Sequence, residues 1–140
     1  MKQIQDYLGF QVLRVHKAHR AHAEAALNQL GLHTGQEMLL LRLWSEEGIP
    51  TSQLAAAMGV EPPTTTKMLQ RLEHRGLIER RPDPEDARIS RVYLTQRGRA
   101  LEQPVLGVWK QLEVQTVAGL SPTEQALLRR LLMQVAANLS

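Results

Sequence analysis

The chain contains no cysteine among its 140 residues. This absence excludes a disulfide framework, thiolate metal ligands and a cysteine redox switch. Aromatic residues are also scarce, at 4%, whereas 43% of the residues are hydrophobic. The hydrophobic residues are mostly leucine, alanine and valine, which favour packed helices over a β-sandwich or barrel. The length fits one domain, or a small domain with an added oligomerisation element.

Long apolar runs and the common catalytic motifs are absent as well. No stretch approaches the ~18 apolar residues that a membrane span requires, and the first residues lack the uninterrupted apolar segment of a signal peptide. The sequence has no GxSxG, HExxH or GxxxxGK[ST] motif and no clear pair of carboxylates. We therefore predict a cytoplasmic protein without membrane contact, without catalytic residues and without a cofactor or metal site.

Positive charge is concentrated in one part of the chain. The formal net charge is +3. Residues 61–100 hold nine Lys and Arg against six Asp and Glu, which accounts for the whole excess. A basic element of this kind is the electrostatic signature of a nucleic-acid-binding surface.

Helical periodicity dominates the N-terminal part of the chain. Residues 4–30 predict one long helix that ends at Gly31. Its stripe recurs at spacings of three and four and consists of Leu8, Val12, Val15, His19, His22 and Ala26. Thr34 and Glu37 have the spacing of a capping box for a second helix. That helix is predicted to turn Met38, Leu41 and Trp44 towards the core.

The central segment combines short helices with glycine turns. Ile49 and Pro50 predict an edge strand at most, and Thr51 is predicted to cap a third helix, which Gly59 closes. A fourth helix begins at Pro62, where a proline suits the first turn, and ends at Gly76. The spacing of its apolar residues turns them towards the core and turns the polar residues outward. These are Thr64, Thr66, Lys67, Gln70 and Arg71.

The remaining chain predicts a hairpin followed by long helices. Residues 77–81 and 89–94 are strand-like and flank a loop rich in proline and aspartate. Residues 96–118 predict one helix kinked at Pro104, and Ser121 begins another. That last helix has a wide apolar face made of Leu127, Leu128, Leu131, Leu132, Val135 and Leu139. The apolar surface left over at the two ends of the chain predicts packing against another subunit.

Short helices around a glycine turn, followed by a hairpin, form the helix-turn-helix layout, in which the second helix enters the major groove of DNA. With the long flanking helices, the chain resembles the multiple-antibiotic-resistance regulator (MarR) family of winged helix-turn-helix repressors. The resemblance is most specific in LQRLEHRGLIERRPDPEDARISRVYLTQRG and in the closing LSPTEQALLRRLL. It predicts a mainly α fold with a small β-hairpin wing. A winged helix-turn-helix domain over residues 34–95 would join a dimerisation region built from residues 1–30 and 96–140.

The resemblance also implies a function and the residues that perform it. A homodimer would present two recognition helices to a pseudo-palindromic operator in double-stranded DNA. It would act as a repressor, and a small organic ligand, anionic or phenolic, would release it from the operator. Matching positions on the recognition helix are Pro63, Thr64, Thr66, Lys67, Gln70 and Arg71. Matching positions on the wing are Arg81, Asp86, Arg88 and Arg91. The family often has Arg where this chain has Glu85, and Arg or Gly where it has Ala87, and these departures predict a weaker hold of the wing on the minor groove.

The histidines and Trp44 leave alternatives open. The family's ligand pocket suggests His19, His22 and Trp44 as lining residues, whereas packing or surface roles are the plainer interpretation. A metal-responsive regulator that uses the first-helix histidines is another hypothesis, although a structural zinc site normally has four ligands. A further alternative for the whole chain is a winged-helix module whose basic face binds an acidic protein.

Overall fold

The computed structural model describes the whole chain, Met1–Ser140, as seven α-helices and three short strands. A 3-10 helix, Ile4–Asp6, precedes α1. The helices are α1 Leu8–Gln29, α2 Gln36–Ser45, α3 Thr51–Met58, α4 Pro62–His74, α5 Gln96–Ala100, α6 Glu102–Thr116 and α7 Pro122–Leu139. The strands are β1 Ile49–Pro50, β2 Ile78–Pro82 and β3 Ser90–Leu94. The prediction of a mainly α fold with a small hairpin is confirmed.

The three strands form one antiparallel sheet in the order β1-β3-β2. In the hairpin, Ile78 lies opposite Leu94 and Pro82 lies opposite Ser90. The two-residue edge strand pairs Ile49 with Val92. Both the predicted hairpin and the predicted edge strand are therefore present.

One hydrophobic core contains residues from each of the helices α1, α2, α3 and α4, from the sheet and from the start of α6. It is made mainly of leucines, among them Leu27, Leu39, Leu43, Leu54, Leu69, Leu72, Val92 and Val105. By contrast, α7 has no buried residue. None of the helices combines the length and hydrophobicity of a membrane span.

The turn between α3 and α4 follows the prediction. Gly59 adopts the left-handed conformation, with φ of 64°, and its N–H donates to Ala56 O. A residue without Cβ adopts this conformation at no steric cost, which is why glycine ends a helix here. Thr65, Leu69 and Leu72 point from α4 into the core. The opposite face of α4 is left to solvent.

The predicted single helix over residues 4–30 is wrong at its start. Tyr7 is extended, with ψ of 143°, and separates the 3-10 helix from α1. The 3-10 helix has its own start, a capping box in which the Asp6 carboxylate accepts the Gln3 N–H at 2.9 Å. The predicted stripe is largely exposed within this chain, and the buried residues of α1 are Ala23 and Leu27.

The predicted face of α2 is wrong for Met38 and Leu41, whereas Trp44 does pack against the core. The helix begins at Gln36 rather than after Thr34, and no side chain at its N-cap accepts a hydrogen bond. Instead the Glu37 carboxylate accepts the Gly35 N–H at 2.9 Å. Leu39, Leu40 and Leu43 are buried. Met38 and Leu41 are exposed, so the stripe is rotated by about one residue from the prediction.

The predicted helix over residues 96–118 is two helices, α5 and α6, that meet at Leu101. Pro104 lies in the first turn of α6 and does not kink a continuous helix. A proline ring clashes with the carbonyl four residues earlier, here that of Ala100. The α-helix therefore breaks at this carbonyl, and Pro104 occupies a turn in which N–H groups need no intrahelical partner. At α7 the predicted capping box is present between Ser121 and Glu124.

Candidate nucleic-acid interface

The outward face of α4 is polar and exposed over its whole length. Every residue that the sequence predicted for it is exposed: Pro63, Thr64, Thr66, Lys67, Gln70 and Arg71. The face is held rigidly because the opposite side of α4 is buried in the core. Thr66 Oγ1 donates to Pro62 O at 3.0 Å, so its hydroxyl keeps only acceptor capacity for another molecule. This surface offers donors and acceptors at helical spacing, as a helix that reads base edges must.

The tip of the hairpin carries one exposed arginine in a fixed position. Asp86 accepts hydrogen bonds from the Arg88 N–H at 3.1 Å, from Nε at 3.0 Å and from Nη2 at 3.1 Å. The Arg88 guanidinium beside Asp86 lowers the pKa of that carboxyl. Arg88 remains 91% exposed in its side chain. Asp86 therefore orients a cation that points to solvent, as contact with a phosphate or a minor groove requires.

Arg91 is engaged inside the chain. Its Nε donates to Asp83 Oδ2 at 2.6 Å, and its Nη1 donates to Gly48 O at 2.7 Å. Asp83 also accepts the backbone N–H groups of Glu85 and Asp86. Arg91, followed by these two N–H groups, lowers the pKa of Asp83. Arg91 thus braces the start of the hairpin loop, and direct contact of Arg91 with DNA stays a prediction.

Two further arginines of the hairpin pair with carboxylates. Arg80 donates to the Glu73 carboxylate at 3.0 and 3.2 Å, which ties β2 to the end of α4 and lowers the pKa of Glu73. Arg81 pairs with Glu79 and lies 4.4 Å from the centre of the Tyr93 ring. Arg81 is exposed, so part of its guanidinium faces solvent. The Arg80 pair joins the hairpin to α4, whereas the Arg81 contacts lie within the hairpin.

Sequence reasoning missed the contacts next to the hairpin loop. Asp83 was part of the loop sequence, but nothing in its neighbourhood indicated a partner as distant as Arg91. Gly48 contributes only its backbone carbonyl to the contact with Arg91, so its residue type gave no signal. The turn formed by Asp83 could have been recognised, because Asp commonly accepts the N–H groups two and three residues on.

The structure separates the three residues predicted to line a ligand pocket. His19 and His22 share a groove of about 260 Å³ between α1 and α6 with Leu112 and Thr116. His19 lies 5.8 Å from Trp109, measured between ring centres. Trp44 lies elsewhere, packed against the core, and its indole N–H donates to Gly98 O at 2.9 Å. No group of three or more His, Asp or Glu residues is placed to hold a metal ion.

A helix, a glycine turn, an exposed polar helix and a basic hairpin define the winged helix-turn-helix class. The MarR family model matches residues 32–90. A crystal structure of MarR is 30% identical, with a TM-score of 0.81, over 94% of this chain and 96% of that chain. The chain belongs to the MarR family. Members of this family are transcription regulators, not enzymes.

Two further similarities are informative, one over nearly the whole chain and one over about half of it. A mutant form of Escherichia coli MarR, in complex with operator DNA, is 28% identical, with a TM-score of 0.84, over 96% of this chain and 99% of that chain. The transcriptional regulator TtmR of Methylorubrum extorquens (strain PA1) is 36% identical over 67 residues, which are 48% of this chain. The matched segment spans only 34% of the length of TtmR.

Proposed function

We propose that this protein is a sequence-specific DNA-binding transcription regulator that acts as a homodimer. The exposed polar face of α4 carries this proposal, because its residues stand free at helical spacing on a helix anchored in the core. The similarity to a MarR protein in complex with operator DNA supports it. A repressor released by a small molecule is the form of regulation that we propose.

Different residues have different roles in this proposal. Thr64, Lys67 and Gln70 read base edges in the major groove, because they offer donors and acceptors on the outward face of α4. Arg88 contacts the phosphate backbone or the minor groove from the tip of the wing. Arg81 contacts the DNA beside Arg88 through the part of its guanidinium that does not pair with Glu79.

The domain division follows from where apolar surface is buried and where it is not. Residues 34–95 contain most of the core and form the proposed winged helix-turn-helix domain. Residues 1–30 and 96–140 form the proposed dimerisation region. Large apolar side chains are exposed there, among them Ile4, Leu8, Leu13, Val15, Val114, Leu127, Leu131, Leu132 and Leu139. Burial of such a surface between two copies is the expected source of dimer stability.

The groove with His19 and His22 is the proposed site of the regulatory ligand. It lies between α1 and α6, and both helices join the proposed dimerisation region to the core. Imidazole N–H groups can donate to an anionic or phenolic oxygen, and Leu112 offers an apolar wall. A ligand that alters the packing of α1 on α6 would change the spacing of the two recognition helices.

A binding experiment tests the proposal directly. Duplexes that bind the protein are selected from a random pool, and the affinity for the selected duplex is measured at several salt concentrations. We expect a half-site spacing of about 10 base pairs or a multiple of it, and a Kd that rises steeply with salt. If no duplex is selected, or if the complex is insensitive to salt, the protein does not act on DNA. Capture of an acidic protein that competing DNA leaves undisturbed would instead favour an interaction module.

Two single substitutions separate the proposed roles. Arg88→Ala should weaken binding to every duplex, because a phosphate contact carries no sequence information. Gln70→Ala should change the preferred bases at one position of the half-site. An equal loss on all duplexes from both variants would contradict the assignment of roles.

A further inference from the structure

A basic groove lies beside α4, on the side of the turn that joins α1 to α2. Its volume is about 340 Å³, and neither a hydrophobic side chain nor a carboxylate lines it. The side chains that face it are His33, Gln36, Lys67, Gln70, Arg71 and His74. Arg75 closes the groove, because its guanidinium donates to Gly31 O and ties the turn to the end of α4. Such a surface suits an anion.

Gln36 supplies a hydrogen-bond donor to the groove. The residue is 4% exposed, and its Oε1 accepts the His33 N–H at 3.0 Å. This bond assigns the oxygen, so the amide N–H₂ is left facing the groove, where it donates to no group of the chain. The residue is buried as a whole, but its amide nitrogen keeps contact with solvent in the groove, so it is free to donate to an acceptor there.

The geometry of DNA indicates which acceptor this is. An α-helix with its side chains is about 10–12 Å wide and fills a major groove about 12 Å wide. Anything that stands directly beside the recognition helix therefore meets the phosphates at the wall of the groove. His74 follows Thr64 by ten residues, which is about 15 Å along the helix axis. It lies beyond the N-terminal part of the helix that reaches base edges.

We propose that the groove binds one backbone phosphate of the DNA, through the Gln36 amide, His33, His74 and Arg71. The inference rests on the proposed function, since it takes α4 to be the helix in the major groove. It adds the turn between α1 and α2 to the DNA-binding surface. This contact would fix the position of α4 on the duplex without reading its sequence.

Two variants of the full-length protein test the site. Gln36→Glu keeps an oxygen for the His33 N–H and replaces the free donors by a negative charge. The double variant His33→Gln with His74→Gln changes only exposed residues, so its folding is not at risk. The matched control is His16→Gln, at an exposed position on α1 outside the groove. Affinity is measured by fluorescence anisotropy for a selected duplex and for an unrelated duplex, over a salt range of roughly 50 to 200 mM.

We expect both test variants to bind the two duplexes roughly three- to tenfold more weakly, by the same factor for each. The slope of log Kd against log salt should change little in the double variant, because the cation of the site, Arg71, stays in place. The control should match the wild type. If the wild type binds and the double variant keeps its full affinity for both duplexes, the inference is overturned and the proposed function stands. If the wild type binds neither duplex, both are overturned.

Discussion

Thr65 is buried in the middle of α4 with an unsatisfied hydroxyl. It is 2% exposed, and its Oγ1 has no hydrogen-bond partner. Valine has nearly the same shape without the hydroxyl, so Thr65→Val should raise the free energy of unfolding by about 1 kcal/mol. Urea denaturation measures the change. Thr64→Val, one residue earlier on the exposed face, should give no such gain, and a loss of stability in Thr65→Val would show that the hydroxyl is satisfied.

Glu37 is a buried carboxyl near the start of α2. Burial raises its pKa, and this effect outweighs the N–H groups of its own residue and of Gly35, which lower it. Because the folded state holds the proton more tightly than the unfolded state, Glu37 favours folding below its ordinary pKa of about 4.5. This contribution is lost as the pH rises through the higher pKa of the folded state.

Glu37→Gln keeps an oxygen for the Gly35 N–H but cannot ionise. The variant should therefore gain stability relative to the wild type as the pH rises from about 4.5 to 7. Unfolding free energies of both proteins, measured by urea denaturation at several pH values, check this. A constant difference across the range would mean that the carboxyl ionises as easily in the folded protein as in the unfolded chain.

At the level of elements, the contact between α5 and the start of β2 depends on one glycine. A Cβ on Gly98 would lie 2.0 Å from Leu77 O, a backbone atom that cannot easily move. The Gly98 N–H donates to Thr95 Oγ1 at 3.1 Å, and Gly98 O accepts the Trp44 indole N–H. Gly98 therefore holds α5, α2 and the hairpin together at one point.

Gly98→Ala should lower the free energy of unfolding by about 1 to 3 kcal/mol, because the added methyl group forces the two elements apart. The matched control is Gly107→Ala in α6, where nothing lies within 4 Å of the added Cβ. That variant should gain about 1 kcal/mol, since alanine favours a helix over glycine. Thermal unfolding of the two variants gives the comparison, and equal shifts would contradict the role of the close contact.

The elements that the sequence predicted correctly have local signals. Gly59 and Gly76 end helices at the predicted positions, and Ser121 with Glu124 begins α7 as predicted, because caps and turns involve residues only a few positions apart. The face of α2 was misplaced because it is chosen by contacts distant in sequence. The buried residues Leu39, Leu40 and Leu43 share one core with residues as distant as Val92 and Val105, and no local pattern contains that information.

The candidate site divides in the same way. The predicted outward residues of α4 are all exposed, since helical spacing and burial of the opposite face determine them, but the exposed Glu73 and His74 at its end were not predicted. The brace between Arg91 and Gly48 was not, because it joins a side chain to a carbonyl 43 residues away. Residue type alone made Arg91 look like Arg88, and only the three-dimensional structure distinguishes a bracing arginine from an exposed one.

Over the whole molecule, apolar surface is distributed unevenly. The lobe around α2, α3, α4 and the sheet buries its leucines, whereas α7 buries none and exposes one continuous leucine face. An exposed apolar face of this extent is unusual for a monomer. It agrees with the proposed dimer, in which α7 and the first part of α1 pack against a second copy.

Leu131 lies in the middle of that face and is 44% exposed in the single chain. Leu131→Glu should convert the dimer into a monomer, because a carboxylate buried between two copies would lose its hydration without gaining a partner. Two linked recognition helices bind two half-sites far more tightly than one, so operator affinity should fall by about 10²-fold or more. Light scattering after size exclusion measures the mass, and anisotropy measures the affinity. Ala137→Glu adds the same charge on the other side of α7 and should leave both unchanged. A Leu131→Glu protein that stays dimeric and keeps its operator affinity would show that the dimer uses another surface.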